Sequence, residues 1–497
     1  MTVPAIPPGP ATSGPSSPTG EAAARKRRAS IGPPVALAAA LWVFCLPALA
    51  APEPAPAQSA SVVEPVIGVR DVHLAPAYWI AKARQPDRVV MTPAAIATQN
   101  LAMETIEPSL HDIESLPVTL EREQVQAWIE SVSVRPTRAL YDETGNEGSS
   151  RAIDRLVNAL DLNRIPQTQV TRYGMVVRRA SLRTFPTDLR VYNTPDDRNL
   201  DRFQESALFP GTPVAVVHES RDREWLFVVS QTYAAWIDKD AVAFGEKEEI
   251  FAHLRRAPYV VVTGATVRTV HARQEPRVSE VQLDMGVRLP LVQALPEDGL
   301  VNGQHPYFGH AVDLPVRNDD GTLSFAPALI PLSADVATGY LEMTRANLLR
   351  QAFKFLGERY GWGHSFNARD CSGFVSEVYR SFGVLMPRNT RDQSVSPALN
   401  RIEVDPGMSY DDRLELVRKT EIGDLIYIPG HVMMVIGHED GNPYVIHDTA
   451  GMSYQQADGS LRRLTLQGVV VTPLLPMMSD EHRTTIERIT NIQRIRP

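Results

Sequence analysis

Apolar positions divide the chain into stretches of different period. Between about Tyr78 and Val170 they recur at helical spacing, and residues 121–131 (EREQVQAWIES) and 150–162 (SRAIDRLVNALDL) each carry one apolar face. This predicts a mainly helical segment over 78–170. From about Tyr173 the apolar runs become short. Residues 176–177, 181–183, 214–217, 225–229 and 235–237 are separated by turns of Pro, Asp and Gly, which predicts a small barrel over 171–247. A second β-rich run, with strands near 259–263, 266–270, 287–291 and 310–314, predicts another, more divergent barrel over 255–335.

The pattern then turns mixed. Thr344 is placed to cap a helix with Leu348, Leu349, Ala352, Phe353 and Leu356 on its apolar face, and Gly357 ends it. A second helix starts at Cys371, after Asp370 as N-cap, with Phe374, Val375, Val378, Tyr379 and Phe382 on one face. Three strands follow, at 424–428, 431–436 and 444–447. A five-residue loop over 438–442 would pair Gly437 with Pro443 and set His447 opposite Met433. His431 and His447 then project from one face, whereas a slip of one residue would separate them. This last domain spans 340–478, and 479–497 reads as a charged tail without a function.

The chain has 497 residues, enough for about three or four domains. Its net charge of -8 gives no electrostatic footprint for nucleic acid. Residues 1–50 have the form of a secretory signal peptide: basic Arg25, Lys26, Arg27 and Arg28, an apolar run over 35–46, and Ala48-Leu49-Ala50 before the expected cut. The competing reading is an uncleaved membrane anchor. Residues 51–77 then read as a linker, no transmembrane segment is expected after cleavage, and the mature chain is expected in the periplasm or cell envelope.

Cleavage removes Cys45, so Cys371 is left alone and an intrachain disulfide is excluded. A lone exported thiol is either reactive or buried and inert. At a helix start the macrodipole favours thiolate, the nucleophilic form. A cysteine nucleophile needs a base, for which His431 is the first candidate, with His447 orienting it. One cysteine and no HExxH argue against a zinc site, and no metal or cofactor is expected.

Taken together, Arg359-Tyr360-Gly361-Trp362-Gly363, Asp370-Cys371-Ser372-Gly373, Gly423-Asp424-Leu425, Gly430-His431-Val432 and Val445-Ile446-His447-Asp448 resemble the NlpC/p60 family of cell-wall cysteine peptidases. The turn at 218–222, Trp225 and residues 233–236 resemble a bacterial SH3-like domain. The resemblance implies a multidomain fold: an N-terminal stabilising segment, two SH3-like β-barrels and an α+β papain-like peptidase domain. It implies Cys371 as nucleophile, His431 as base and His447 as third polar residue, and hydrolysis of a peptidoglycan stem-peptide amide next to γ-D-glutamate. It also places Tyr360 beside the nucleophile, and Asp370 and Ser372 at the free amine of an N-terminal L-alanine. Glu205 and Tyr233 are the matching candidates from the first barrel. The family usually has Gly after Gly363. Here it is His364, expected to narrow the cleft or touch substrate. The reading is an exported, monomeric cysteine endopeptidase acting on peptidoglycan or muropeptides. The alternatives are a wall-binding protein with a degenerate peptidase domain, and a cysteine amidase or acyltransferase.

Overall fold

The computed structural model describes residues 66–456 and 458–496; the expected signal peptide lies outside the described residues. Residues 66–77 are not free linker. They carry a short 3-10 helix, Asp71–Leu74, and enter the helix Pro76–Lys82. Arg70, His73, Tyr78 and Lys82 all bind the carboxylate of Glu439, across the chain. Trp79 is fully buried and donates its indole N–H to the His73 carbonyl at 2.8 Å.

The helical segment is not one unit. Trp79, Met91, Ile96 and Met103, from the first helices and the strand between them, share a core with the cysteine helix. The helices Arg122–Val132 and Ser150–Ala159 pack elsewhere, with Val125, Ile129 and Leu156 in a core built with the first β unit. Helical period marks a buried face but not the element that buries it.

The first β unit is a seven-stranded antiparallel sheet that runs, from edge to edge, Val242–Gly245, Arg172–Val176, Pro213–Glu219, Trp225–Val229, Ala234–Asp238, Ala180–Arg183 and Gln204–Leu208. Phe227 and Val229 face the helices, while Leu226 and Val228 face a second core. Burial on both faces explains the continuous apolar run at 225–229. The second unit has its own core, but its strands form three short sheets rather than one continuous ladder.

In the last domain both predicted helices form. Thr344 caps Arg345–Phe353 by accepting from the Asn347 amide, and Asp370 caps Cys371–Arg380. The sheet runs Asn400–Glu403, Asn491–Arg494, Leu425–Ile428, His431–Glu439, Asn442–Gln455 and Leu461–Pro473, with Met477–Met478 also paired to Asn442–Gln455. The supposed tail 479–497 therefore supplies an inner strand. Its polar look misleads because Gln493 is buried with its amide donating to the carbonyls of Gln393 and Ser394, and Ile492 beside it is also buried.

The hairpin joining the histidine strands differs from expectation at its tip. Asp440 and Gly441 form a two-residue turn with φ of 50° and 74°, and Gly437 pairs with Tyr444. A bulge between Val435 and Gly437 then shifts the ladder, so that Val435 pairs with Val445 and Met434 with Ile446. This is the register that the wrong loop length had implied at the histidines. Trp79 seats on the bulge: a Cβ at Gly437 would lie 2.8 Å from its ring.

Candidate active site

Asp370 has extended backbone and accepts the Gly373 amide at 2.8 Å, so the helix begins at Cys371. Cys371 is buried. Its sulfur lies 3.5 Å from the Thr390 hydroxyl, and Val432, the residue after His431, lies in the same buried core. Burial pushes the thiol up to about 11, and the Asp370 carboxylate adds to this. Desolvation of the charged form thus opposes the thiolate that the helix terminus favours. The rate of alkylation by iodoacetamide should accordingly climb with pH toward a midpoint near 11. A midpoint below about 7 would mean a resting thiolate–imidazolium pair.

His431 opens its strand opposite Ile428. Its Nε2 is 2.7 Å from His447 Nδ1, and His447 Nε2 is 3.0 Å from the Thr472 hydroxyl. The Thr472 hydroxyl donates to the Met477 sulfur, so it accepts from His447 Nε2–H. His447 Nδ1 is then an acceptor, His431 Nε2 a donor, and His431 Nδ1 keeps a free lone pair. That tautomer is the one a base requires. Burial lowers His431 to about 4, and burial with the neighbouring His431 holds His447 well below the usual imidazole range, so both rings are neutral near pH 7.

The remaining predicted residues converge from two domains. Tyr233 donates to Glu205 at 2.6 Å, and Thr184 donates to the other Glu205 oxygen. Burial and Glu205, with a smaller push from Asp370, raise the Tyr233 hydroxyl. Ser372 donates to Asp370 at 3.2 Å. Burial opposes the charge on Asp370, but Arg388 outweighs it and holds the acid at about 2. Arg388 donates to both Asp370 oxygens, at 3.2 and 2.8 Å, and to Ser372 at 2.9 Å. Tyr360 is buried, and its hydroxyl is raised by burial first and then by Cys371.

Arg388, Thr390 and Thr472 escaped the sequence reading, since their partners lie far away in the chain and no local spacing marks them. Asp448 appeared only inside a motif. It is fully buried, neither oxygen has a hydrogen-bond partner, and burial with Asp370 and Glu358 raises it to about 9. It is a neutral acid at pH 7. Among the described residues no group of three His, Cys, Asp or Glu is placed to hold a metal ion, and no helix is long and apolar enough to cross a membrane.

Residues 357–469 match the NlpC/P60 family and residues 190–238 match an SH3 domain of the SH3b1 type. Over 268 residues the chain is 28% identical to a gamma-D-glutamyl-L-lysine dipeptidyl-peptidase of Bacillus cereus, covering 49% of this chain and 67% of that protein. The fold is similar to an NlpC/P60 endopeptidase from Photobacterium damselae subsp. piscicida, with a TM-score of 0.67, 17% identity, and 84% of this chain and 96% of that one covered. An NlpC/P60 family protein from Bacillus cereus aligns at 21% identity with a TM-score of 0.43, over 65% of this chain and 100% of its own. The chain thus contains an NlpC/P60 domain and an SH3 domain.

Proposed function

We propose that this chain is an exported cysteine endopeptidase that cleaves the γ-D-glutamyl–diaminopimelate (or lysine) amide of peptidoglycan stem peptides bearing a free N-terminal L-alanine. The observation that carries this is Arg388, which donates to Ser206, next to Glu205 in the SH3 domain, and to Asp370 and Ser372 beside Cys371, while Glu205 accepts from Tyr233. Two carboxylates against the one cation of Arg388 leave a net negative, largely buried pocket, which suits an ammonium group. The name of the Bacillus cereus relative supports the same bond class. The basic and apolar pattern of residues 1–50 supports export.

In this reading the Cys371 sulfur attacks the glutamyl carbonyl while its proton passes to His431 Nδ1. The imidazolium gives that proton to the departing amine, leaving a thioester. Water, deprotonated by the same nitrogen, then hydrolyses the thioester and restores the thiol. His447, held by Thr472, keeps His431 in its productive tautomer throughout. The alternative of a degenerate binding protein is disfavoured by the continuous hydrogen-bond chain from His431 to Thr472.

The test is mass spectrometry of products from free L-Ala-γ-D-Glu-L-Lys, its N-acetylated form, the diaminopimelate peptide and intact sacculi. Release of L-Ala-D-Glu from the free peptides is expected. The N-acetylated peptide should be about 10- to 100-fold poorer, the worth of a buried charged hydrogen bond. Equal cleavage of both forms would sink the amine subsite, and ready release from sacculi would sink the preference for trimmed peptides.

A further inference from the structure

The His364 side chain lies in the interior rather than on an open surface. It is buried, with φ of 65°. Its ring sits between two domains. On one side is an edge contact with Phe209 of the SH3-containing unit, at 5.7 Å between centroids. On the other is the first turn of the cysteine helix, where a Cβ at Gly373 would come within 2.6 Å of the ring. Arg388 Nη2 donates to Nδ1 at 2.9 Å, which makes that nitrogen the acceptor. Nε2 must then carry the proton, and it lies 3.1 Å from Glu377 Oε1. Glu377 Oε2 accepts from Arg369 Nε at 2.9 Å, and Arg369 in turn binds Asp284 of the second β unit at 2.6 Å.

Arg388 uses every N–H it has. Nε donates to Ser206 at 2.7 Å, Nη1 to Asp370 and Ser372, and Nη2 to Asp370 and His364. Ser206 and His364 thereby fix the plane of the guanidinium, and that plane fixes Asp370 and Ser372. We propose that His364 is a positioning residue for the amine subsite: it completes the shell of Arg388 and ties it through Glu377 to the cysteine helix. This rests on the reading of that subsite as an ammonium pocket. Without the imidazole acceptor Arg388 keeps four of its five bonds but leaves one buried N–H unpaired, and the charge that the ammonium meets is held less firmly in one place.

The variant His364→Gly is suited to test this. Glycine accepts a φ of 65° without strain. The vacated space opens onto a cleft of about 680 Å³ that His364 and Arg388 both line, so water can enter it. With free L-Ala-γ-D-Glu-L-Lys as substrate, KM should rise about tenfold with kcat within about threefold, as for loss of one charged hydrogen bond. The preference for the free over the N-acetylated peptide should fall by the same factor. His364→Asn, which tolerates this backbone and can still accept from Arg388, should recover most of the loss. Arg388→Lys keeps the charge but not the fork, and should lose the preference even if the glycine variant does not fold.

A purely structural role would instead lower the melting temperature and reduce kcat on both peptides alike. An unchanged preference in His364→Gly or in Arg388→Lys would overturn the proposal while leaving the ammonium pocket standing. A wild-type chain that shows no preference at all would overturn the pocket, and this proposal with it.

Discussion

Replacing Cys371 with alanine is expected to reduce hydrolysis of the free peptides by at least about 10⁴-fold while the chain stays folded. The size of the effect follows from the chemistry. In the proposed reaction the acyl group passes to sulfur, and within the described residues Cys371 is the free cysteine. Folding should survive because Cys371 packs as a small apolar side chain in the core with Phe374 and Val375, and its one side-chain hydrogen bond, to Thr390, is long. Losing the sulfur costs about 1 kcal/mol, on the scale of other small deletions in a core. Product release measured beside the melting temperature checks both halves. Wild-type chain quenched during turnover should carry an acyl mass that the variant lacks. Persistent hydrolysis by the variant would assign the nucleophile elsewhere.

The second large effect is at the base. His431→Ala should lower kcat about 10³-fold, the usual worth of general acid–base catalysis. His447→Ala should cost about 10²-fold, because it removes orientation and leaves a ring that can still accept a proton. The pH profile gives an independent readout. Burial lowers His431 to about 4, so the base is neutral above that pH and is protonated as pH falls through it. Wild-type activity should therefore hold to about pH 5 and fall below it. Equal losses in the two alanine variants, or a larger one for His447, would mean that His447 carries the proton.

Much of this was legible in the sequence because it is local. Period and caps marked the helices Arg345–Phe353 and Cys371–Arg380, since an apolar face and a capping side chain act within a few residues. Even the register that brings His431 and His447 to one face was reached, although by offsetting errors. The two-residue turn at Asp440-Gly441 moves the ladder one way and the bulge at Ile436 moves it back. The bulge could not be foreseen, because Trp79 packs against it from more than three hundred residues away.

Polarity along the chain does not mark exposure at several positions. Asn491–Arg494 looks like a tail and is an inner strand, because its buried amide is satisfied by carbonyls near Gln393. Residues 66–77 look like a linker and are anchored on Glu439. His364 looks like a substrate contact and is an interior hydrogen-bond relay. In each case the partner that makes burial affordable is distant in the chain.

The amino-acid sequence alone therefore determined the chemistry on offer: a single thiol at a helix start, two histidines on neighbouring strands, and a β unit ahead of them. Residue type and short-range spacing are enough for that. Tertiary structure decided the protonation and the recognition. Burial keeps Cys371 as a thiol and His431 as a neutral base, and the Thr472–His447–His431 chain selects the tautomer. Docking of the SH3 unit puts Ser206, next to Glu205, within hydrogen-bond reach of Arg388, which holds Asp370. Desolvation and charge pairing depend on what surrounds a group in space, and no spacing along the chain encodes that.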